Sequence, residues 1–240
     1  MLIRFAGLTR LKSDADTIGN FQIYGKNMEN TTEPSGKVRF KLSLRQVALV
    51  TAIAPLGILL HEVGHFLAYW ALGYDASLHA TYAGVPNAKI FWQAMSKGDL
   101  DAARGIMDIQ HAALGTGSAI CVSYLMIVVG VLGVRRFAHE GLSRVAFCGL
   151  ALTASVRFLL ISMFFPFGFM TLADEAKLAM AIGIPAAIPV FVGFLFMLLA
   201  FIGSFRFLPT ENRVSDFGNA LIGVIVGNIA YGILGPIILP

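Results

Sequence analysis

The sequence predicts an all-α polytopic membrane protein with about five transmembrane helices. Hydrophobic residues make up 57% of its 240 residues and charged residues only 13%, whereas a soluble domain averages about 25% charged residues. The chain therefore lacks the polar surface that a soluble globule needs, and we expect a multi-pass integral protein of the cell membrane. The net charge of +4 does not indicate nucleic-acid binding, because no basic stripe with interleaved aromatic residues accompanies it.

Five apolar segments are long enough to cross a bilayer, which takes roughly 20 helical residues. They cover residues 47–72, 113–134, 142–165, 184–207 and 217–239. We divide the chain into a polar N-terminal segment (1–45), a membrane core (46–180) and two C-terminal packing helices (181–240). Asn219 and Asn228 in the last helix are candidates for hydrogen bonds across helices.

The N-terminal segment carries no apolar run of the length that a cleavable signal peptide needs. Met28 is an alternative start to Met1, because nothing between them looks indispensable.

Lys and Arg residues are distributed unevenly between the connections. Eight precede the first apolar segment, and Arg135, Arg136 and Arg144 lie between the second and third. Arg206 and Arg213 lie between the fourth and fifth. The positive-inside rule therefore predicts a cytoplasmic N-terminus.

A metal-binding motif, His61-Glu62-Val63-Gly64-His65, lies inside the first apolar segment. Histidines four residues apart share one helix face, so both imidazoles are placed to bind one Zn²⁺. Glu62 occupies the position of the general base that activates a water molecule. An ionisable group in hydrocarbon costs about 2.5–3.5 kcal/mol on the insertion scale, so this cluster indicates a metal site rather than a structural polar cluster.

Catalytic zinc takes three protein ligands, so a third is required. Asp174 is the preferred candidate because it follows residues 166–173, an apolar stretch whose Pro and Gly break a helix. Unwound backbone at membrane depth is tolerated only where it is buried in protein or lines a cavity. In one alternative Asp174 only caps the short helix that follows; in another, His79 or His111 is the ligand. His139 lies in a basic connection, and we expect it to be solvated.

Three elements resemble, in order, the site-2 protease family of intramembrane zinc metalloproteases. The first is the His-Glu-x-x-His motif in a membrane helix. The second is the small-residue stretch 112–118, which is similar to the family's Ala-Gly-Pro-x-x-Asn stretch that packs against the zinc helix. The third is the segment 164–174, which is similar to the family's Asn-x-x-Pro…Leu-Asp-Gly segment carrying the third zinc ligand. The resemblance covers roughly residues 45–180.

The resemblance implies a three-helix zinc-protease core in which His61, His65 and Asp174 bind Zn²⁺ and Glu62 is the general base. The implied activity is that of a zinc metalloendopeptidase on membrane-spanning protein substrates within the lipid bilayer. Family members generally hold the zinc near the cytoplasmic face. His61 lies about 21 Å along its helix from Val47. With the N-terminus in the cytoplasm, as the charge count predicts, this position is nearer the outer face, so the orientation stays open.

The loop after the first helix is expected to gate the site. Residues 76–84 alternate in a way that is compatible with a short strand, at whose edge an extended substrate can pair. The alternative is an ordinary surface hairpin at the membrane edge. Further along, Asp99 predicts an N-cap for a helix running through Gln110.

Two other functions stay open beside proteolysis. One is a non-catalytic membrane scaffold or pseudoprotease, and the other is a membrane metallohydrolase that acts on a small molecule or a lipid. Retention of Glu62 disfavours the scaffold, because loss of this residue is the simplest way to abolish the chemistry.

Overall fold

The structure, a computed structural model, describes residues 40–80, 82–163 and 173–239, without the side chains of Arg157 and residues 160–163. The chain divides into two units, Met1–Lys37 and Val38–Pro240. The first unit, which includes the alternative start Met28, lies outside the described residues. The described ranges contain eight helices and two strands: α1 (Leu44–Ala71), β1 (Ser77–Leu78), β2 (Ala83–Gly84), α2 (Ala88–Lys97), α3 (Leu100–Arg104), α4 (Ile109–Arg136), α5 (Gly141–Met163), α6 (Asp174–Ile182), α7 (Ala187–Arg206) and α8 (Arg213–Ile238).

Four of these helices, α1, α4, α7 and α8, are long and apolar enough to cross a membrane. Helices suit this environment because they satisfy their own backbone hydrogen bonds in hydrocarbon. In α5 the apolar stretch that can be assessed, Gly141–Val156, is shorter. The all-α membrane class and the short hairpin are confirmed, whereas the fifth membrane span stays a prediction.

Helix α1 packs against α4, α5 and α8, and small residues allow the close approach to α4. A Cβ atom added at Gly64 would lie 2.9 Å from the Cα of Ala119. On the outside, large apolar side chains such as Phe191 and Ile229 are exposed, as expected of surfaces that a bilayer covers. The motif helix thus packs against three other helices, while side chains on its remaining face, such as Leu56 and Leu67, are exposed.

A buried polar network joins the N-terminal ends of α1, α5 and α8. The Arg144 guanidinium lies 2.6 Å from the Asp216 carboxylate, which also accepts a 2.9 Å hydrogen bond from the Gln46 side chain. Asn219 donates to the Gln46 side-chain oxygen (2.6 Å), so its predicted cross-helix hydrogen bond is confirmed. The buried side-chain oxygen of Asn228 has no partner among the described residues.

The helix predicted from Asp99 through Gln110 is shorter in the structure, where α3 covers only Leu100–Arg104. Asp99 does cap α3, accepting a hydrogen bond from the Ala102 N–H at 3.1 Å, but the helix ends before Gly105. A second capping residue, Asp108, accepts hydrogen bonds from the first N–H groups of α4. Because each aspartate caps its own helix, the chain turns between them.

Candidate metal centre

Three potential metal ligands converge between α1 and α6. The Nε2 atoms of His61 and His65 lie 3.0 and 3.3 Å from the same Oδ2 atom of Asp174. The two imidazole rings are one helical turn apart and nearly perpendicular, with centroids separated by 5.1 Å. All three candidate ligand atoms lie within 4.8 Å of one another, and no other described residues form such a group.

The other ring nitrogens are held by α4. The Nδ1–H of His65 donates to the Gly115 carbonyl at 2.9 Å, and Nδ1 of His61 is hydrogen-bonded to the Ser123 hydroxyl at 2.8 Å. A carbonyl can only accept, so neutral His65 carries its proton on Nδ1 and presents a lone pair on Nε2. That lone pair faces a carboxylate oxygen, an arrangement that requires a proton or a cation between them. These residues therefore fit a metal ion.

Asp174 is the first residue of α6, and Ala173 occupies the N-cap position. Asp174 thus lies inside the first turn of α6 and not at the N-cap, which contradicts the alternative in which it only caps this helix. Burial raises the pKa of Asp174, but Lys177 and the hydrogen bonds with His61 and His65 outweigh it and hold the pKa well below its usual range. The carboxylate is therefore ionised, as a metal ligand must be.

Glu62 lies beside this cluster and is 4% exposed. Its Oε2 atom accepts a hydrogen bond from the Ala83 N–H in β2 at 2.9 Å. A cleft of about 230 Å³ runs between the motif, the hairpin, α2, α4 and α6. Its wall includes Glu62, His65, Tyr82, Trp92, Asp174 and Lys177. The cleft thus brings the candidate general base and two candidate ligands together.

The segment that is expected to gate the site forms a β-hairpin, with Ser77 opposite Gly84 and Leu78 opposite Ala83. The His79 N–H donates to the Tyr82 carbonyl, so the next pair, Leu78 and Ala83, is a non-hydrogen-bonded pair. The Ala83 N–H therefore points away from β1, and the outer edge of β2 faces Glu62. The expected short strand is confirmed; its pairing with a substrate stays a prediction.

The other histidines lie outside the cluster. The His79 ring stacks on Tyr82 with centroids 4.2 Å apart, and Nδ1 of His111 lies 3.0 Å from the Tyr74 hydroxyl. His139 is exposed in the connection between α4 and α5, as expected. Among the described residues the structure thus brings only His61, His65 and Asp174 into ligand geometry.

The small-residue opening of α4 packs against the motif helix, as predicted. The Ser118 hydroxyl donates to the Gly64 carbonyl at 2.8 Å. A Cβ atom added at Gly115 would overlap the Tyr69 ring, so only glycine fits there without rearrangement. The stretch before Asp174, residues 164–172, lies outside the described residues.

Sequence reasoning missed three groups at this site. The first is the backbone N–H of Ala83, which donates a hydrogen bond to Glu62. The motif does not predict this partner, because a backbone group has no sequence signal. Ser123 is a polar residue in an apolar helix, and Lys177 follows Asp174 at helical i, i+3 spacing. Those two signals were present and were not connected with the metal ligands.

Comparisons with protein-family models, with curated proteins and with solved structures find no match for this chain. The geometry of the cluster is therefore the basis for assigning a function. Two imidazole nitrogens and one carboxylate oxygen leave positions open for water and substrate. The same donor set also suits Fe²⁺, so the choice between metals depends on the neighbouring groups.

Proposed function

We propose that this chain is an intramembrane zinc metalloprotease that hydrolyses peptide bonds of membrane-spanning proteins. The observation that carries the proposal is the buried carboxylate of Glu62 in one cleft with His65 and Asp174. A glutamate next to a metal-binding histidine is the arrangement that hydrolytic zinc sites use for proton transfer. The resemblance to the site-2 protease family supports the same reaction and the same substrate class.

In this mechanism His61, His65 and Asp174 bind the ion, and the Gly115 carbonyl and Ser123 hydroxyl orient the imidazoles. When bound, Zn²⁺ polarises the scissile carbonyl and lowers the pKa of a coordinated water toward about 7.

Glu62 accepts a proton from the attacking water as the water oxygen bonds to the carbonyl carbon. The C–N bond then breaks, and Glu62 passes the proton to the leaving amine. The products are a carboxylic acid and an amine, and transfer of the acid proton to the amine gives a carboxylate and an ammonium group.

Substrate binding is assigned to the outer edge of β2. A membrane-spanning helix must unwind before its peptide bonds can reach a buried site, and an edge strand can hold the unwound segment by main-chain hydrogen bonds. The cleft is lined by this strand and by the candidate base. Docking of an extended substrate at β2 would therefore place its backbone near the proposed metal site.

The test uses the purified full chain reconstituted in liposomes with a membrane-spanning reporter protein. Wild type should retain zinc, measured by elemental analysis, and cleave the reporter. Glu62→Gln should retain zinc and lose cleavage, because an amide cannot take up the proton. Glu211→Gln is the matched control, since Glu211 is exposed and outside the cleft, and it should behave as wild type.

Each other outcome points to a different function. Cleavage by Glu62→Gln at the wild-type rate would remove the hydrolase proposal. Zinc retention without any hydrolysis that depends on Glu62 would favour a scaffold. Hydrolysis of a lipid or a small amide in place of the reporter would favour a different metallohydrolase. Iron in place of zinc would contradict the assigned metal.

A further inference from the structure

Lys177 places a positive charge in the candidate metal cleft. It lies one helical turn after Asp174 in α6, and its Nζ atom is 2.9 Å from Oδ1 of Asp174. Its side chain is 27% exposed. Among the described residues that line the cleft, Lys177 is the one lysine or arginine. It therefore acts on the carboxylate from inside the site.

The two carboxylate oxygens of Asp174 have different partners. Oδ2 faces the Nε2 atoms of His61 and His65, whereas Oδ1 accepts the hydrogen bond from Lys177. A carboxylate with one oxygen held by an ammonium group is oriented to bind an ion through its other oxygen. Such a site has three protein ligand atoms, the number found in catalytic zinc centres.

The ion pair between Lys177 and Asp174 differs from the surface ion pair between Arg104 and Asp101. The surface pair has the same i, i+3 spacing but a separation of 3.9 Å, and its side chains are 65% and 100% exposed. Exposed pairs of this kind contribute little to stability. The Asp174 side chain is 15% exposed, so its pair with Lys177 is better shielded from water and is held at hydrogen-bond distance.

We propose that Lys177 is a positioning residue for the metal centre. It holds Oδ1 of Asp174, so that Oδ2 alone binds the ion shared with His61 and His65. This inference rests on the proposed metal-binding function. It gives Lys177 a role in metal affinity and coordination number that does not depend on substrate.

The experiment measures the metal rather than the activity. The Zn²⁺ dissociation constant of the purified full chain is determined by competition with a chelating dye, and Co²⁺ replaces Zn²⁺ for visible absorption spectra. Lys177→Met removes the charge at similar length, Lys177→Arg restores it, and Lys97→Met is the control at an exposed lysine outside the cleft.

Lys177→Met should bind Zn²⁺ roughly 10–100-fold more weakly, the usual effect of losing a group that orients a ligand. Its Co²⁺ bands should weaken and shift as Oδ1 becomes a further ligand atom. Lys177→Arg should recover most of the affinity and the wild-type spectrum, and Lys97→Met should match wild type.

Wild-type affinity together with an unchanged Co²⁺ spectrum in Lys177→Met would overturn the role of Lys177 and leave the proposed function intact. A wild-type chain that binds no zinc would instead overturn the proposed function, and this inference with it. If Lys177→Met does not elute as a monodisperse protein, Lys177→Gln replaces it. Weaker Zn²⁺ binding by Lys177→Gln than by Lys177→Arg supports the proposal. Zn²⁺ binding by Lys177→Gln that is as tight as in wild type overturns it.

Discussion

The carboxylate of Glu62 in α1 accepts a 2.9 Å hydrogen bond from the backbone N–H of Ala83, at the outer edge of β2. An extended substrate that pairs with this edge would use the same N–H as a donor. Substrate pairing and the Glu62 contact therefore compete for one group. Pairing would release the carboxylate that the proposed mechanism needs as a base.

This contact predicts the mobility of the hairpin. Glu62→Ala removes the acceptor of the Ala83 N–H, whereas Glu62→Gln keeps a side-chain oxygen that accepts. A hydrogen bond to a charged group contributes about 1.5–3 kcal/mol, so amide exchange at Ala83 should speed up roughly tenfold or more in Glu62→Ala. Hydrogen–deuterium exchange with mass spectrometry measures it. Equal exchange in Glu62→Ala and Glu62→Gln would show that the contact does not hold the strand.

The two motif histidines should be required for metal retention. His61→Ala or His65→Ala should lose bound zinc, measured per chain by elemental analysis, because each removes one of three ligands. His111→Ala is the control and should keep zinc, since its imidazole bonds to Tyr74 outside the cluster. Zinc retained in both motif variants would contradict the ligand assignment.

Asp174 can be tested with a substitution that barely alters shape. Asp174→Asn should lose most of its zinc, because a neutral amide is a poor ligand. The matched control is Asp108→Asn at the N-cap of α4, where Asn caps as well as Asp and zinc should be unchanged. Full zinc content in Asp174→Asn, with loss in His79→Ala or His111→Ala, would move the third ligand to the loop.

The contact between α1 and α4 predicts a stability difference between two glycines. Gly64→Ala places a Cβ atom 2.9 Å from the Ala119 backbone, and overpacking of this kind costs about 1–3 kcal/mol. Gly232→Ala in α8 meets nothing within 4 Å and should be neutral or slightly stabilising. The thermal unfolding temperature measured in detergent should therefore fall for Gly64→Ala and not for Gly232→Ala. Equal unfolding temperatures would show that α1 and α4 can separate without cost.

The buried ion pair between Arg144 and Asp216 should be more sensitive than a surface pair. The two side chains are 7% and 5% exposed, and removal of one partner from a buried pair costs about 3–5 kcal/mol. Asp216→Asn should therefore lower the free energy of unfolding strongly. Asp101→Asn in the exposed pair with Arg104 should change it little. Similar losses in both variants would contradict the importance of burial at this pair.

Composition and helical periodicity were sufficient to predict the membrane class and the placement of His61 and His65 on one face. Both properties are local: hydropathy sums over about twenty residues, and the helix repeat brings together residues four apart. Local signals also explain the error after Asp99. Asp99 and Asp108 lie nine positions apart and each caps a helix of its own, and the sequence pattern does not decide where the first of these helices ends.

The tertiary structure decided which groups meet the motif. Asp174 reaches His65 across 109 positions of sequence, and the Gly115 carbonyl reaches the same histidine from α4. The contact of Glu62 with Ala83 depends on the hairpin, which the C-terminal end of α8 holds through the Leu239 carbonyl and the Ala80 N–H. Helix periodicity cannot specify such contacts, because they arise only when α1, α4, α6 and α8 pack together and bring buried polar groups from different helices within hydrogen-bond distance.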